Sequence, residues 1–424
     1  MSTSVRTPNI KRTTMRQRFI SALEYLLMLL LIMEFNTILH EYEHITTRLI
    51  YGAIIVTLLL CYLRKKCVKL EPILILFLIG AFLPFLNVSP GWEMRFIKLF
   101  VIILPVFVLY LKACLRCSLR DMLGPLLKFS NLVVLFAVIS LFYWVFASNM
   151  EIIQPTIWIP NDWIGHERLI PAYHFVYFET QESTFMGYST VRNSGMFEEA
   201  PMYNMILCTA LAIETFIRTK CSLLRMFILY ITVLTTFTTT GFIFLTLVSA
   251  WLLYRYLGKK FHSIMIIFVP LLLFGAYTVS SFIIEDKRNE KGGSGEGSFN
   301  SRMQDIENCI EIGLENPIIG QGLFTKRLSE EDGGVAAYGY SNSLFTLFAD
   351  GGIYMVLLYL ACLFFIPLQH YRRENKWPLA MLSFLLLFIF TASQYKLLTL
   401  WLMAVGLTIY SENTDLSYNK INED

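Results

Sequence analysis

The sequence predicts an all-α fold, a polytopic integral membrane helix bundle of about 12 transmembrane helices with cytoplasmic N and C termini and two large external loops. Three observations lead there. Of the 424 residues, 55% are hydrophobic and only 16% charged, against roughly 25% charged in a soluble domain. Twelve apolar runs approach the ~20 residues that cross a bilayer core. Lysine and arginine concentrate in alternate connecting segments.

The runs fall near 19–36, 47–63, 71–87, 95–111, 130–148, 200–217, 222–237, 241–256, 262–284, 351–368, 378–392 and 395–410. The seventh and eighth nearly fuse, so eleven spans is the competing count. The residues before the first run are basic, and no A-x-A-like site follows it. It therefore reads as an uncleaved span and not as a signal peptide. With the N-terminus cytoplasmic, the inside segments hold 23 of the 35 lysines and arginines, as orientation by basic residues requires. The first outside loop, HEYEH at 40–44, is acidic.

A formal charge of +3 is too small for a nucleic-acid face, so no nucleic-acid partner is expected. Of eight cysteines, only Cys309 falls in a large external loop, so no external disulfide within the chain is expected. Cys114 and Cys117 form one inside C-x-x-C, read as reduced thiols.

Two outside segments, 149–199 and 285–350, are too long for simple connectors. The first is rich in aromatics. In the second, KGGSGEGSFNS at 291–301 reads as a flexible hinge. SRMQDIENCIEIGLENP follows, with Met303, Ile306, Ile310 and Leu314 at helical spacing and Pro317 as the stop. This predicts an amphipathic helix over about 302–314, with Ser301 as cap and Arg302 in the first turn. Then come IIGQGLFTK and YGYSNSLFTLFADGGIY, which lead into the tenth run.

Ionisable residues in a bilayer mark ion paths. Glu24 and Glu34 flank the first span, Lys98 lies one turn into the fourth, and Glu214 sits near the inner end of the sixth. None is at a midplane, which disfavours an ion-coupled pump. Functional groups gather at the outer face instead: Arg168, Arg192, Glu198, Glu199, Arg302, Asn342, Asp350 and Lys396. Outside an energised membrane there is no nucleotide, so an activated substrate must arrive on a carrier that the membrane holds. A lipid pyrophosphate fits, because arginines bind phosphate through paired, charge-assisted hydrogen bonds. No outside cluster has metal-ligand spacing, so neither a metal nor another cofactor is expected.

The stretch VRNSGMFEEAP at 191–201 carries Arg192, Ser194, Gly195, Phe197, Glu199 and Pro201. It resembles the R-x-x-G-x-F-x-E-P element of bacterial O-antigen and capsular polysaccharide polymerases. Arg302, Asn316, Pro317, Gly320, Gly322, Ser341, Asn342, Leu344 and Gly352 are similar to the second element of the wider O-antigen polymerase and ligase superfamily. Ala200 interrupts the Glu-Pro pair, and the spacing from Phe197 selects Glu199 over Glu198. Ligases of the superfamily carry a histidine before the asparagine, where this chain has Tyr338, Gly339, Tyr340 and Ser341.

The resemblance implies a multi-pass glycosyltransferase of the bacterial cytoplasmic membrane, facing the periplasm or exterior. It would join undecaprenyl-pyrophosphate-linked oligosaccharide repeat units in O-antigen, capsule or exopolysaccharide biosynthesis. Arg192, Glu199 and Arg302 would be catalytic. Gly195, Glu198, Ser341, Asn342, Arg168 and Lys396 would bind substrate. A chain-length regulator and a flippase would be its partners. The competing expectations are an O-antigen ligase, a flippase for lipid-linked oligosaccharide, and a membrane scaffold without activity.

Overall fold

The computed structural model describes residues 15–41, 44–64, 72–161, 168–185, 188–220, 222–257, 294–324, 342–371 and 376–412. The helices are α1 (Met15–Met33), α2 (Ile45–Arg64), α3 (Pro72–Gly80, followed by a short turn of helix at Phe82–Phe85), α4 (Glu93–Leu115), α5 (Leu119–Asn149), α6 (Ala200–Phe216), α7 (Leu223–Thr235), α8 (Thr239–Leu257), α9 (Ser294–Glu315), α10 (Leu344–Gln369), α11 (Trp377–Phe390) and α12 (Leu397–Glu412). Eleven of the twelve apolar runs coincide with these helices, and the run at 262–284 lies outside the described residues. Four helices, α2, α4, α5 and α10, are long and apolar enough to cross a membrane. α7, α8, α11 and α12 are shorter apolar helices.

Local chemistry sets the helix ends. Ser118 Oγ accepts the Asp121 amide at 3.0 Å and caps α5. Pro201 and Pro378 occupy first turns, where a missing N–H costs nothing. Pro105 and Pro367 follow wide π-helical stretches at Ile97–Ile103 and Ala361–Phe365, which take up the hydrogen bond that the ring cannot make. The nearly fused pair of runs separates into α7 and α8 at Thr236–Thr238. There the Thr235 and Thr236 hydroxyls bond back to the Thr232 and Val233 carbonyls, and Phe237 turns to φ 49°. Such side-chain bonds compete with helix continuation.

α6 is buried on nearly every side and packs against α5, α7, α8 and α11. A helix apolar all round belongs in the middle of a bundle. α12 packs on α4 and α1, and α1 packs on α2 and α5. The connections after α1, α3, α5, α7 and α11, with the segment between α9 and α10, meet at one end. Ile38 N donates to Met196 O at 3.0 Å, Glu198 N to Asn36 O at 3.1 Å, Leu323 N to Asn87 O at 2.8 Å and Asn193 N to Thr235 O at 3.0 Å.

The opposite end is clamped by two buried carboxylates. Glu24 of α1 pairs with Arg64 of α2 and Lys128 of α5 and accepts the Tyr110 hydroxyl of α4. Glu214 of α6 lies 2.8 Å from both Arg218 and Arg225 and accepts Ser130 Oγ of α5 at 2.5 Å.

The structure departs from the expected elements in two places. The aromatic segment 149–199, in an otherwise helical chain, folds into two small antiparallel sheets. One is β1 (Ile157–Asn161), β2 (Arg168–Tyr173) and β3 (Tyr177–Phe178), the other β4 (Glu182–Phe185) and β5 (Tyr188–Val191). Aromatic and β-branched residues suit such strands. In addition, α9 begins at Ser294, two turns before the predicted start. The stretch read as a hinge is thus helical from Ser294, Ser301 lies within the helix, and Arg302 is beyond the first turn. Packing of α9 on α10 offsets the ~1 kcal/mol that a glycine costs in a helix.

α10 is kinked at Gly352, whose φ of 61° lies in the left-handed region. At the kink, Ile353 N and Tyr354 N donate to the Pro317 and Ile318 carbonyls, which docks the N-P-x-x-G-x-G segment on α10. A Cβ on Gly352 would collide with the Ile318 carbonyl. Gly352→Ala is expected to destabilise the fold by about 1–3 kcal/mol through strain alone, read as a lowered Tm of the detergent-solubilised protein.

Candidate functional site

The loop-bearing end gathers charge that the helices themselves do not need. The chain leaving α1 carries Glu34 and Asn36, the latter in the left-handed region at φ 50°, which asparagine tolerates. Buried Glu34 accepts the Leu397 amide at the start of α12, Oε2 to N 2.8 Å. A carboxylate there answers both the free amide and the positive helix end. Next to it, the Lys396 ammonium donates to Asn36 Oδ1 and lies 3.5 Å from the Glu34 carbonyl oxygen. The Glu198 carboxylate lies within electrostatic reach of Lys396.

Arg95, from the first turn of α4, adds a second cation. Its guanidinium stands 5.2 Å from the Trp92 ring centroid and 5.1 Å from that of Phe324. Two aromatic faces hold a cation without neutralising it. Phe324 packs on Tyr395 at 4.5 Å, and the Tyr395 hydroxyl donates to Asp350 Oδ2 at 2.7 Å. Asp350 Oδ1 is buried and finds no partner among the described residues.

His40 completes the cluster. Burial, together with the nearby charges of Lys396 and Arg95, pushes its pKa down to about 4, so the ring is neutral at pH 7. The unfolded chain would therefore bind a proton before the folded one does. Stability is expected to fall as pH drops from about 6.5 to about 4. His40→Gln should flatten that part of a Tm-against-pH curve.

The segment 192–199 is fixed on three sides. Arg192 is 8% exposed. Its Nε donates to the Thr236 carbonyl at 3.0 Å and its amide to the Gln181 carbonyl at 2.9 Å. Asn193 donates to Thr235 Oγ1 at 3.0 Å and accepts the Gly195 amide at 3.2 Å. Gly195 turns at φ 58°, where a Cβ would lie 3.0 Å from the Tyr203 ring, and Phe197 stacks on that ring. Glu199 is the extended residue before α6, and its carboxylate makes no cap bond. Gln181 Oε1 takes the Ala200 amide at 3.1 Å instead. The Glu199 side chain is thereby left to other partners.

Of the predicted site residues, the structure brings Glu198 and Lys396 together and sets Gly195 and Glu199 in the same segment. Asn342 serves as a helix cap, its Oδ1 accepting the Phe345 and Thr346 amides at 3.0 and 3.3 Å. Its buried Nδ2 finds no partner among the described residues. Arg168 opens β2 and Arg302 lies in α9, but both side chains, and Ser341 entirely, lie outside the described residues. Among the described residues no group of three His, Cys, Asp or Glu side chains could hold a metal ion. Glu34, Asn36, His40, Arg95 and Gln181 were not legible as site residues. The W-x-x-R spacing of Trp92 and Arg95 is the one local signal, since it sets an aromatic ring beside a cation on one helix turn.

The fold and this cluster define a mostly helical, membrane-embedded protein with buried charge at its loop-bearing end. Residues 224–360 match a family model described as O-antigen ligase. The matched stretch runs from α7 into α10. It includes α9, the glycine segment and Asn342, and it leaves out both Arg192–Glu199 and Lys396. No curated protein and no solved structure gives a significant match.

Proposed function

We propose that the protein is a polysaccharide polymerase that joins undecaprenyl-pyrophosphate-linked oligosaccharide repeat units at the outer face of the cytoplasmic membrane. The observation that carries this reading is the meeting of the Arg192–Glu199 segment with Asn36, Glu34 and Lys396 at one end of the bundle. Two more cations, Arg95 beside the site and Arg302 on α9, fit a substrate with a pyrophosphate leaving group. In the reaction, an acceptor hydroxyl oxygen of the incoming lipid-linked unit bonds to the anomeric carbon of the growing chain. The bond from that carbon to the carrier pyrophosphate breaks, and the electron pair leaves with the phosphate. Glu199 takes the hydroxyl proton, a contribution typically worth about 100- to 10,000-fold. Arg192 and Arg302 neutralise the leaving pyrophosphate, and Lys396 and Glu198 orient the sugars. The chemistry needs no metal, because fixed cations meet the developing charge.

The second reading is an O-antigen ligase, favoured by the description of the matched family model. The stretch Tyr338–Ser341, which lacks the histidine that ligases of the superfamily carry before the asparagine, weighs against it. Gene deletion followed by a gel of surface polysaccharide separates the two. Polymerase loss leaves single repeat units on the acceptor, whereas ligase loss leaves lipid A core bare. A bare core, or an unchanged ladder, would overturn the polymerase reading.

A further inference from the structure

Away from this site, α6, α8 and α11 leave a cavity of about 260 Å3 between them. Phe216, Phe244, Leu247, Trp251, Leu379 and Leu386 are among the residues that line it. The cavity lies toward the end opposite the loops, because α6 and α8 run toward that end and α11 starts there. Apolar space of this kind repels water and accepts an apolar occupant.

What marks this groove out is its mouth. Arg255 lies four residues beyond Trp251 on α8, and Lys376 three residues before Leu379 at the start of α11. Those spacings put each cation one turn past the lining, on the lining face of its helix. Burial and the repulsion of the like charge on Arg255 hold the Lys376 ammonium pKa below its ordinary value. The two cations are thus close together, and neither has a salt bridge among the described residues. One turn deeper, the Trp251 indole N–H is buried with no partner among the described residues.

Two neighbouring cations, an unused N–H donor about 5 Å further in and an apolar channel below form the pattern of one anionic phospholipid. We infer that the groove holds a single anionic phospholipid from the leaflet at the clamped end. Its phosphate lies between Arg255 and Lys376, an ester oxygen meets the Trp251 N–H, and one acyl chain fills the cavity. This inference rests on the membrane-embedded fold and is independent of the glycosyl-transfer reading.

Native mass spectrometry of the full-length protein, released from detergent after incubation with phosphatidylglycerol, gives the test. One lipid should persist on the wild type, and Arg255→Glu with Lys376→Glu should cut its retention about tenfold or more. Leu382 of α11 also lines the cavity, and Leu382→Trp, which fills the groove and keeps both cations, should do the same. A folding defect in either variant is separated by a second measurement on wild-type protein. Phosphatidylglycerol with brominated acyl chains should quench tryptophan fluorescence, and Trp251→Phe should remove that component. Unchanged retention in the charge-reversed variant would overturn the inference, as would equal quenching by brominated phosphatidylcholine. So would absent Trp251 quenching, the outcome if residues 262–284 or a second copy of the chain cover the groove.

Discussion

Arg192→Ala is expected to abolish long polymer while the protein remains in the membrane at wild-type level. The guanidinium is nearly buried at the loop-bearing end, with Nε on the Thr236 carbonyl. Removing one preorganised charge stabiliser costs about 100- to 1,000-fold in rate. That is enough to reduce a ladder of repeat units to its lowest bands. Arg192→Lys keeps the charge but loses the planar fork that grips a phosphate, so it should fall between wild type and alanine. Tm measured on the same variants separates the chemistry from the Thr236 bond, which lysine cannot reproduce at Nε. A normal ladder from Arg192→Ala would remove this residue from the active site.

Glu214→Ala is expected to be the most destabilising single substitution in the bundle. Glu214 is fully buried and balances Arg218 and Arg225 while accepting Ser130. Deleting one partner of a buried ion pair strands the rest without compensation, at about 3–5 kcal/mol. The loss should appear as a large drop in Tm in detergent and in reduced accumulation. Glu24→Ala, which strands Arg64 and Lys128, should behave alike. A cost below ~1 kcal/mol at both positions, the usual worth of a surface pair, would mean that these clamps are solvated.

Helices were the legible part of the fold, because a bilayer demands continuous apolar runs that no other local rule produces. The strands between 157 and 191 were not, since their registers join short segments whose pattern is dominated by aromatics. The start of α9 was missed because small residues at 294–301 read as a linker when packing on α10 is invisible. Site residues divided in the same way. Arg192, Gly195 and Glu199 lie in one short stretch and carry a recognisable spacing. The contact of Glu34 with Lys396 and Leu397 joins residues some 360 positions apart, and nothing local in either segment announces the other. Gln181 escaped notice for a similar reason, because it serves the amide of Ala200 from the connection between β3 and β4, on the far side of the second sheet in sequence.

The two carboxylate clamps have a mechanical consequence. Glu24 ties α1, α2, α4 and α5 together, and Glu214 ties α5, α6 and α7, all at the end away from the loops. Helices pinned at one end act as levers. A tilt of one degree about the pin swings the far end of a ~30 Å helix by about 0.5 Å. A few degrees shared among the pinned helices therefore widens the loop-bearing mouth by ångströms while the fulcrum stays packed. On the proposed function, this is how a lengthening glycan would pass the mouth without any helix leaving its neighbours.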